Sequence, residues 1–294
     1  MRILWLGAAA TIVGVCGASI IAAEGALVIR ARPAASPRAA DDLARQTDST
    51  WQLAYVTTRD AAVLQGWLFT PVRPNGAGVI LLHGVGDTRE GMMSHADFLV
   101  RAGYTVLTPD ARGHGESGGS FITYGVLEAE DVHVWADWLF ARGVRRLYGL
   151  GESMGASILL ESLAREPRFR TVVAECPFAT FAEVARFRLA RASGGPEWAF
   201  RPITALGFTY ARLRYGVDLT KASPLAAVRA AQTPILLIHG QQDRNIPIAQ
   251  SRELAAANPK WVRLWEVPRA THVNAFGVEP ERYIREVLGW FDGQ

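Results

Sequence analysis

Two stretches of the chain carry the spacing Gly-x-Ser-x-Gly: Gly115-Glu116-Ser117-Gly118-Gly119 and Gly151-Glu152-Ser153-Met154-Gly155. A serine in that spacing can be a nucleophile when it sits on a sharp strand-to-helix turn. The flanking glycines then let strand and helix approach while the serine holds a strained backbone. Context separates the two. Ser153 follows the apolar run Leu147–Leu150, a strand candidate, and precedes Met154, a good helix former. Ser117 follows a glycine-rich stretch and precedes Ser120-Phe121-Ile122, so it reads as a loop residue. Ser153 is the candidate nucleophile, against the plainer reading of a helix N-cap serine.

A serine hydroxyl needs an adjacent base, itself oriented by an acid. Among six histidines, His83 and His239 each end an apolar strand before a glycine, which suggests that they shape the backbone. His95 and His133 fall on helices, and His114 lies in the glycine-rich loop. His272 falls in an irregular loop after the last strand, where an open α/β sheet places its ligands. Asp243 occupies the equivalent loop one strand earlier, within Gly240-Gln241-Gln242-Asp243-Arg244-Asn245. Ser153, Asp243 and His272 therefore occur in that order, each just past a different strand.

The elements that must position them alternate. A hairpin, Trp51–Thr58 with Ala62–Thr70, comes first. Strands at Gly78–Leu82, Tyr104–Thr108, Leu147–Leu150, Thr171–Glu175, Pro234–Ile238 and Val262–Val267 follow. Helices are expected at Met92–Arg101, Val126–Ala141, Met154–Arg165, Ile248–Ala257 and Glu281–Phe291. The pattern predicts an α/β fold: a mainly parallel central sheet with helices on both faces. A helical cap is inserted at about 178–222, and the whole domain covers 51–294.

The first 30 residues read differently. Ile3 to Ala23 is a run of 21 residues without a charge, and about 20 apolar residues cross a bilayer as a helix. Residues 1–30 are thus expected to be a transmembrane anchor, with a cleaved signal segment ending near Ala23 or Gly25 as the alternative. The first places the protein at a membrane on a single N-terminal helix, the second in a secreted or periplasmic form. Residues 31–50 read as an exposed linker.

Composition narrows the classes. The formal charge of +3 on 294 residues conceals a basic N-terminal segment and a basic insertion against an acidic remainder. No Lys/Arg cluster has the density of a nucleic-acid-binding stripe. The two cysteines, Cys16 and Cys176, exclude a disulfide framework and a cysteine-based zinc site.

Leu81-Leu82-His83-Gly84, the tract Asp110-Ala111-Arg112-Gly113-His114-Gly115-Glu116-Ser117, the turn at Ser153, His239-Gly240 with Asp243, and His272 together resemble the α/β-hydrolase superfamily. The Asp110–Ser117 tract looks most like its monoglyceride-lipase and serine-aminopeptidase-like branch. The resemblance covers about residues 51–291. It implies a serine hydrolase acting on an ester, thioester or amide through Ser153, Asp243 and His272, with no metal and no cofactor. It also implies backbone donors to an oxyanion at Val85 and Met154, Gly86 leaving the first of these open. A small-molecule or lipid ester is the expected partner, and oligomeric state stays open.

The insertion from Phe178 to Tyr215 holds eight aromatics in 38 residues. An apolar substrate pocket built with Glu152, Phe178, Phe181, Trp198 and Phe208 is expected under it, with plain helix packing as the alternative. Two other classes compete. Gly149-x-Gly151-x-x-x-Gly155 with Glu175 approaches a dinucleotide fingerprint, but it has one residue too many before the third glycine and leaves Asp243 and His272 unexplained. A non-catalytic binding protein on the same scaffold also remains, because fold does not fix function.

Overall fold

Residues such as Val79-Ile80-Leu81-Leu82 and Ile235-Leu236-Leu237-Ile238 are apolar on both sides of a strand, which only a sheet covered on both faces can bury. A computed structural model of the chain describes residues 2–29 and 34–293, residues 2–12 as helical backbone. It begins with α1 (Arg2–Leu27) and α2 (Pro37–Thr47), then the antiparallel pair β1 (Ser49–Thr57) and β2 (Val63–Pro71). Next come β3 (Ala77–Leu82), α3 (Met93–Arg101), β4 (Thr105–Pro109), α4 (Glu128–Phe140), β5 (Arg146–Glu152), α5 (Met154–Ser162) and β6 (Phe169–Glu175). The insertion folds as α6 (Phe181–Ser193) and α7 (Arg201–Tyr215) with short 3-10 turns. After it follow α8 (Pro224–Ala230), β7 (Ile235–Gly240), α9 (Ala249–Ala257), β8 (Val262–Val267), α10 (Ala275–Val278) and α11 (Pro280–Asp292).

The eight strands lie in the order β1-β2-β4-β3-β5-β6-β7-β8. β2 runs antiparallel to β4, and the six strands from β4 to β8 are mutually parallel. Side chains alternate across the sheet. Ile80, Leu82, Ile235 and Leu237 enter the layer beneath α4, α5, α8 and the cap. Val79, Leu81, Leu236 and Ile238 enter the layer beneath α2, α3 and α11. All six parallel strands point their C-terminal ends to one edge, where Ser153 and the loops carrying Asp243 and His272 lie.

The N-terminal region corrects the linker expectation and shows packing for part of the expected anchor. Residues 37–47, read as linker, are a helix. Ala40, Leu43, Ala44 and Thr47 recur at helical spacing and are buried. Pro37 opens the helix, and Asp48 closes it in the left-handed region. The apolar face is mostly alanine among prolines and charges, which hid it. Further upstream, the later half of α1 is part of the fold. Leu27 is fully buried, its carbonyl accepts the Ile122 N–H at 2.9 Å, and Tyr124 donates its hydroxyl to the Ala26 carbonyl at 2.8 Å. No helix among the described residues is long and apolar enough to cross a membrane. The side chains of residues 3–12, half of the expected span, lie outside the described set.

Candidate active site

β5 runs into α5 with no loop between them, and Ser153 is the hinge. Its φ of 52° with ψ of −113° is strained for a residue with a side chain. Two backbone bonds hold it there: Ser153 N–H to the Glu175 carbonyl at 2.8 Å, and Ser157 N–H to the Ser153 carbonyl at 3.1 Å. The glycines are required by close approach. A Cβ on Gly155 would stand 2.3 Å from the Leu82 carbonyl oxygen, and one on Gly151 would stand 2.7 Å from the Gly155 backbone.

Asp243 and His272 reach Ser153 from the ends of β7 and β8. Their loops lie against each other because Gly240 lacks a side chain: a Cβ there would be 2.4 Å from the Ala270 carbonyl oxygen. The Asp243 carboxylate is wholly buried. Its Oδ1 accepts the backbone N–H groups of Asn245 at 2.7 Å and Ile246 at 3.0 Å. Its Oδ2 stands 2.7 Å from His272 Nδ1. A carboxylate can only accept, so Nδ1 carries the proton and Nε2 is left as the acceptor. Nε2 lies 2.9 Å from Ser153 Oγ.

His239 completes the arrangement and was missed as a functional neighbour. Fully buried, it places Nε2 3.3 Å from Asp243 Oδ2 and 3.0 Å from the Ile246 carbonyl, while Nδ1 faces Ser251 Oγ at 2.7 Å. Burial alone would raise the Asp243 carboxyl. Hydrogen bonds from His239 and His272 outweigh it and hold the group well below its ordinary range. The available signal was His239 standing four residues before Asp243 at a strand end.

Ser153 opens into an apolar cavity of about 350 Å³. Val85 and Met154, expected as oxyanion donors, both line it. Val85 lies in a turn closed by Asp87 N–H to the Gly84 carbonyl at 3.3 Å, with Gly86 at φ +78° in the position where that turn favours glycine. Of the expected pocket residues, Phe178, Phe181 and Phe208 line the cavity.

Two do not. Glu152 shares a face of β5 with Leu150, two residues earlier, and so points into the layer beneath α3. There it lies 3.5 Å from His95. Burial, then the nearby charges of Glu175 and Asp87, push its carboxyl up. Trp198 stands on a turn of the cap with none of its residues buried, 70% exposed, away from the cavity.

The other motifs have structural partners. Ser117, in the second Gly-x-Ser-x-Gly, is buried, donates to the Asp110 carbonyl at 2.7 Å and accepts the Gln65 N–H at 2.9 Å. Asp110 and Glu116 bind the buried Arg89. His83 accepts the Ala111 N–H at 3.0 Å. Glu175, which a dinucleotide reading would set on a ribose, is fully buried and receives the Ala275 N–H at 2.9 Å. That bond and the one from Val273 N–H to Cys176 Sγ pin the loop bearing His272 to the end of β6.

Known proteins share this fold. The chain is 28% identical to the uncharacterized protein YqkD of Bacillus subtilis over 218 residues, covering 73% of this chain and 70% of YqkD. It is 23% identical to the uncharacterized peptidase YuxL of the same organism, covering 80% of this chain and 38% of YuxL. Among solved structures, the Pyrococcus furiosus esterase Pf2001 superposes with a TM-score of 0.70 at 25% identity, over 88% of this chain and 96% of that one. The sequence profile of the alpha/beta hydrolase family matches residues 79–286. With that match spanning most of the domain, the chain belongs to the alpha/beta hydrolase family.

Proposed function

We propose that the protein is a serine hydrolase that cleaves carboxylic esters through Ser153, His272 and Asp243. The observation that carries this reading is the pair of contacts at His272, 2.7 Å to Asp243 and 2.9 Å to Ser153, at the wall of an apolar cavity. In the first step His272 Nε2 takes the Ser153 hydroxyl proton as Oγ attacks the carbonyl carbon. Asp243 fixes the tautomer and stabilises the imidazolium. Backbone N–H groups of Val85 and Met154 hold the oxyanion, each such donor being worth about 10²–10³ in rate. The tetrahedral species collapses as His272 returns the proton to the leaving alkoxide, which leaves an acyl-Ser153. Water, deprotonated by the same imidazole, releases the acid and restores the hydroxyl.

A peptidase on the same fold is the second reading, favoured by the resemblance to YuxL. The cavity weighs against an aminopeptidase: among the described residues, Arg188 is the one charged side chain lining it, and a cation repels a free α-ammonium group. A panel of p-nitrophenyl esters beside aminoacyl anilides separates the two. Turnover of esters at least 100-fold faster than of anilides is expected, and the reverse order would reject the ester reading. A separate proposal keeps the expected attachment of the protein to a membrane through its N-terminal segment. Full-length protein recovered wholly in the soluble fraction of its cells would reject it.

A further inference from the structure

α1 lies against the cap closely enough to reach the cavity. A Cβ on Gly207 of α7 would stand 3.2 Å from the Ser19 carbonyl oxygen, so the two helices meet nearly backbone to backbone. Tyr210 and Tyr215 both donate their hydroxyls to Glu24 Oε1, at 2.7 and 2.6 Å. With Leu27 buried and the Ala26 and Leu27 carbonyls bonded to the segment 122–124, this half of the helix is fastened at both its cap and its sheet side.

The face so held is not sealed by packing. Ser19, Ala22, Ala23 and Ala26, at helical spacing three, four and seven, line the same cavity as Ser153. Their short side chains leave the volume open, while aromatic side chains such as Phe181 and Phe208 close it from the cap side.

We propose that this half of α1 is a wall of the acyl pocket and sets the chain length of the ester. The proposal rests on the hydrolase reading above and names its substrate class: esters of acids with an apolar chain. An apolar cavity of about 150 Å³ holds a benzene, so roughly twice that volume takes a chain on the order of ten carbons. It follows that the working enzyme retains residues 19–29, since cleavage at Ala23 or Gly25 would remove part of the wall.

The test is the chain-length profile of kcat/KM on p-nitrophenyl acetate through decanoate, with full-length protein. It uses the wild type, Ala22→Leu, Ala22→Phe and the control Ile21→Phe, whose position is 74% exposed. Each methylene buried is worth about 0.8 kcal/mol, roughly fourfold in rate. Exclusion of two or three methylenes by the Ala22→Phe ring therefore lowers octanoate turnover by about 15- to 60-fold. The drop is read as the ratio of octanoate to acetate turnover, Ala22→Leu falls between, and Ile21→Phe follows the wild type. Parallel profiles in all four chains would overturn the wall and leave the hydrolase standing. So would loss of acetate turnover in both Ala22 variants with the control active, since a wall substitution must spare short chains. Absence of turnover on every ester, with no fluorophosphonate labelling of Ser153 in any chain, would reject the hydrolase reading and the wall with it.

Discussion

Replacing Asp243 with Asn should cost about 10⁴ in kcat while leaving the fold in place. The structure says which way the new amide must turn. Oδ1 accepts two backbone N–H groups, from Asn245 and Ile246, so the amide oxygen takes that position. The NH₂ group then occupies the site of Oδ2, 2.7 Å from His272 Nδ1. Two donors cannot share that contact, and the imidazole moves its proton from Nδ1 to Nε2. Nε2 then presents a hydrogen to Ser153 Oγ where it must present a lone pair, and general-base catalysis fails. The loss corresponds to about 5.5 kcal/mol of transition-state stabilisation. The assay is steady-state hydrolysis of a short p-nitrophenyl ester, with KM expected within threefold of wild type because Asp243 lies outside the cavity lining. Fluorophosphonate labelling of Ser153 should slow in parallel. A kcat within tenfold of wild type, in a variant whose circular dichroism is unchanged, would refute the tautomer argument.

Two further outcomes test the packing. Leu27→Ala removes a fully buried side chain and should cost about 2–5 kcal/mol of stability by urea titration. A change below 0.5 kcal/mol would mean that α1 is not docked on the domain. Glu161 is held protonated in the fold, burial and then the charge of Glu128 pushing its carboxyl up to about 9, whereas in the unfolded chain it ionises near 4.3. Stability from this group is therefore present below about pH 4.3 and is lost as pH rises toward 9. Glu161→Gln mimics the neutral form, so its melting temperature should exceed that of wild type by several degrees at pH 8 and by much less at pH 5. Equal differences at the two pH values would contradict this.

Much of the site was legible because it depends on spacing along single elements. The strand before Ser153, the helix after it and the glycines on either side are local requirements, and the structure shows the backbone contacts that impose them. Asp243 and His272 could be placed by their position just past strand ends, which the apolar runs mark. What was not legible depends on facing. Glu152 looked like a pocket residue because it adjoins Ser153, yet strand alternation carries it to the opposite side of the sheet. His239 read as a backbone-shaping residue, and it does bond the Ile246 carbonyl, but its approach to Asp243 arises only when the loop folds back. The apolar stretch before Ala23 suggested a span because nothing in it is charged. Its later half uses small residues to meet α7 and the cavity, a packing role that hydropathy does not distinguish from lipid exposure.

Activation of Ser153 as a nucleophile by His272 is open to reaction with a fluorophosphonate followed by peptide mapping. Wild-type protein should carry one label per chain, on the peptide containing Ser153, with the buried Ser117 unmodified. Ser153→Ala should carry none and hydrolyse no ester above background. Label on another residue, or ester hydrolysis retained by a clean Ser153→Ala preparation, would contradict the account.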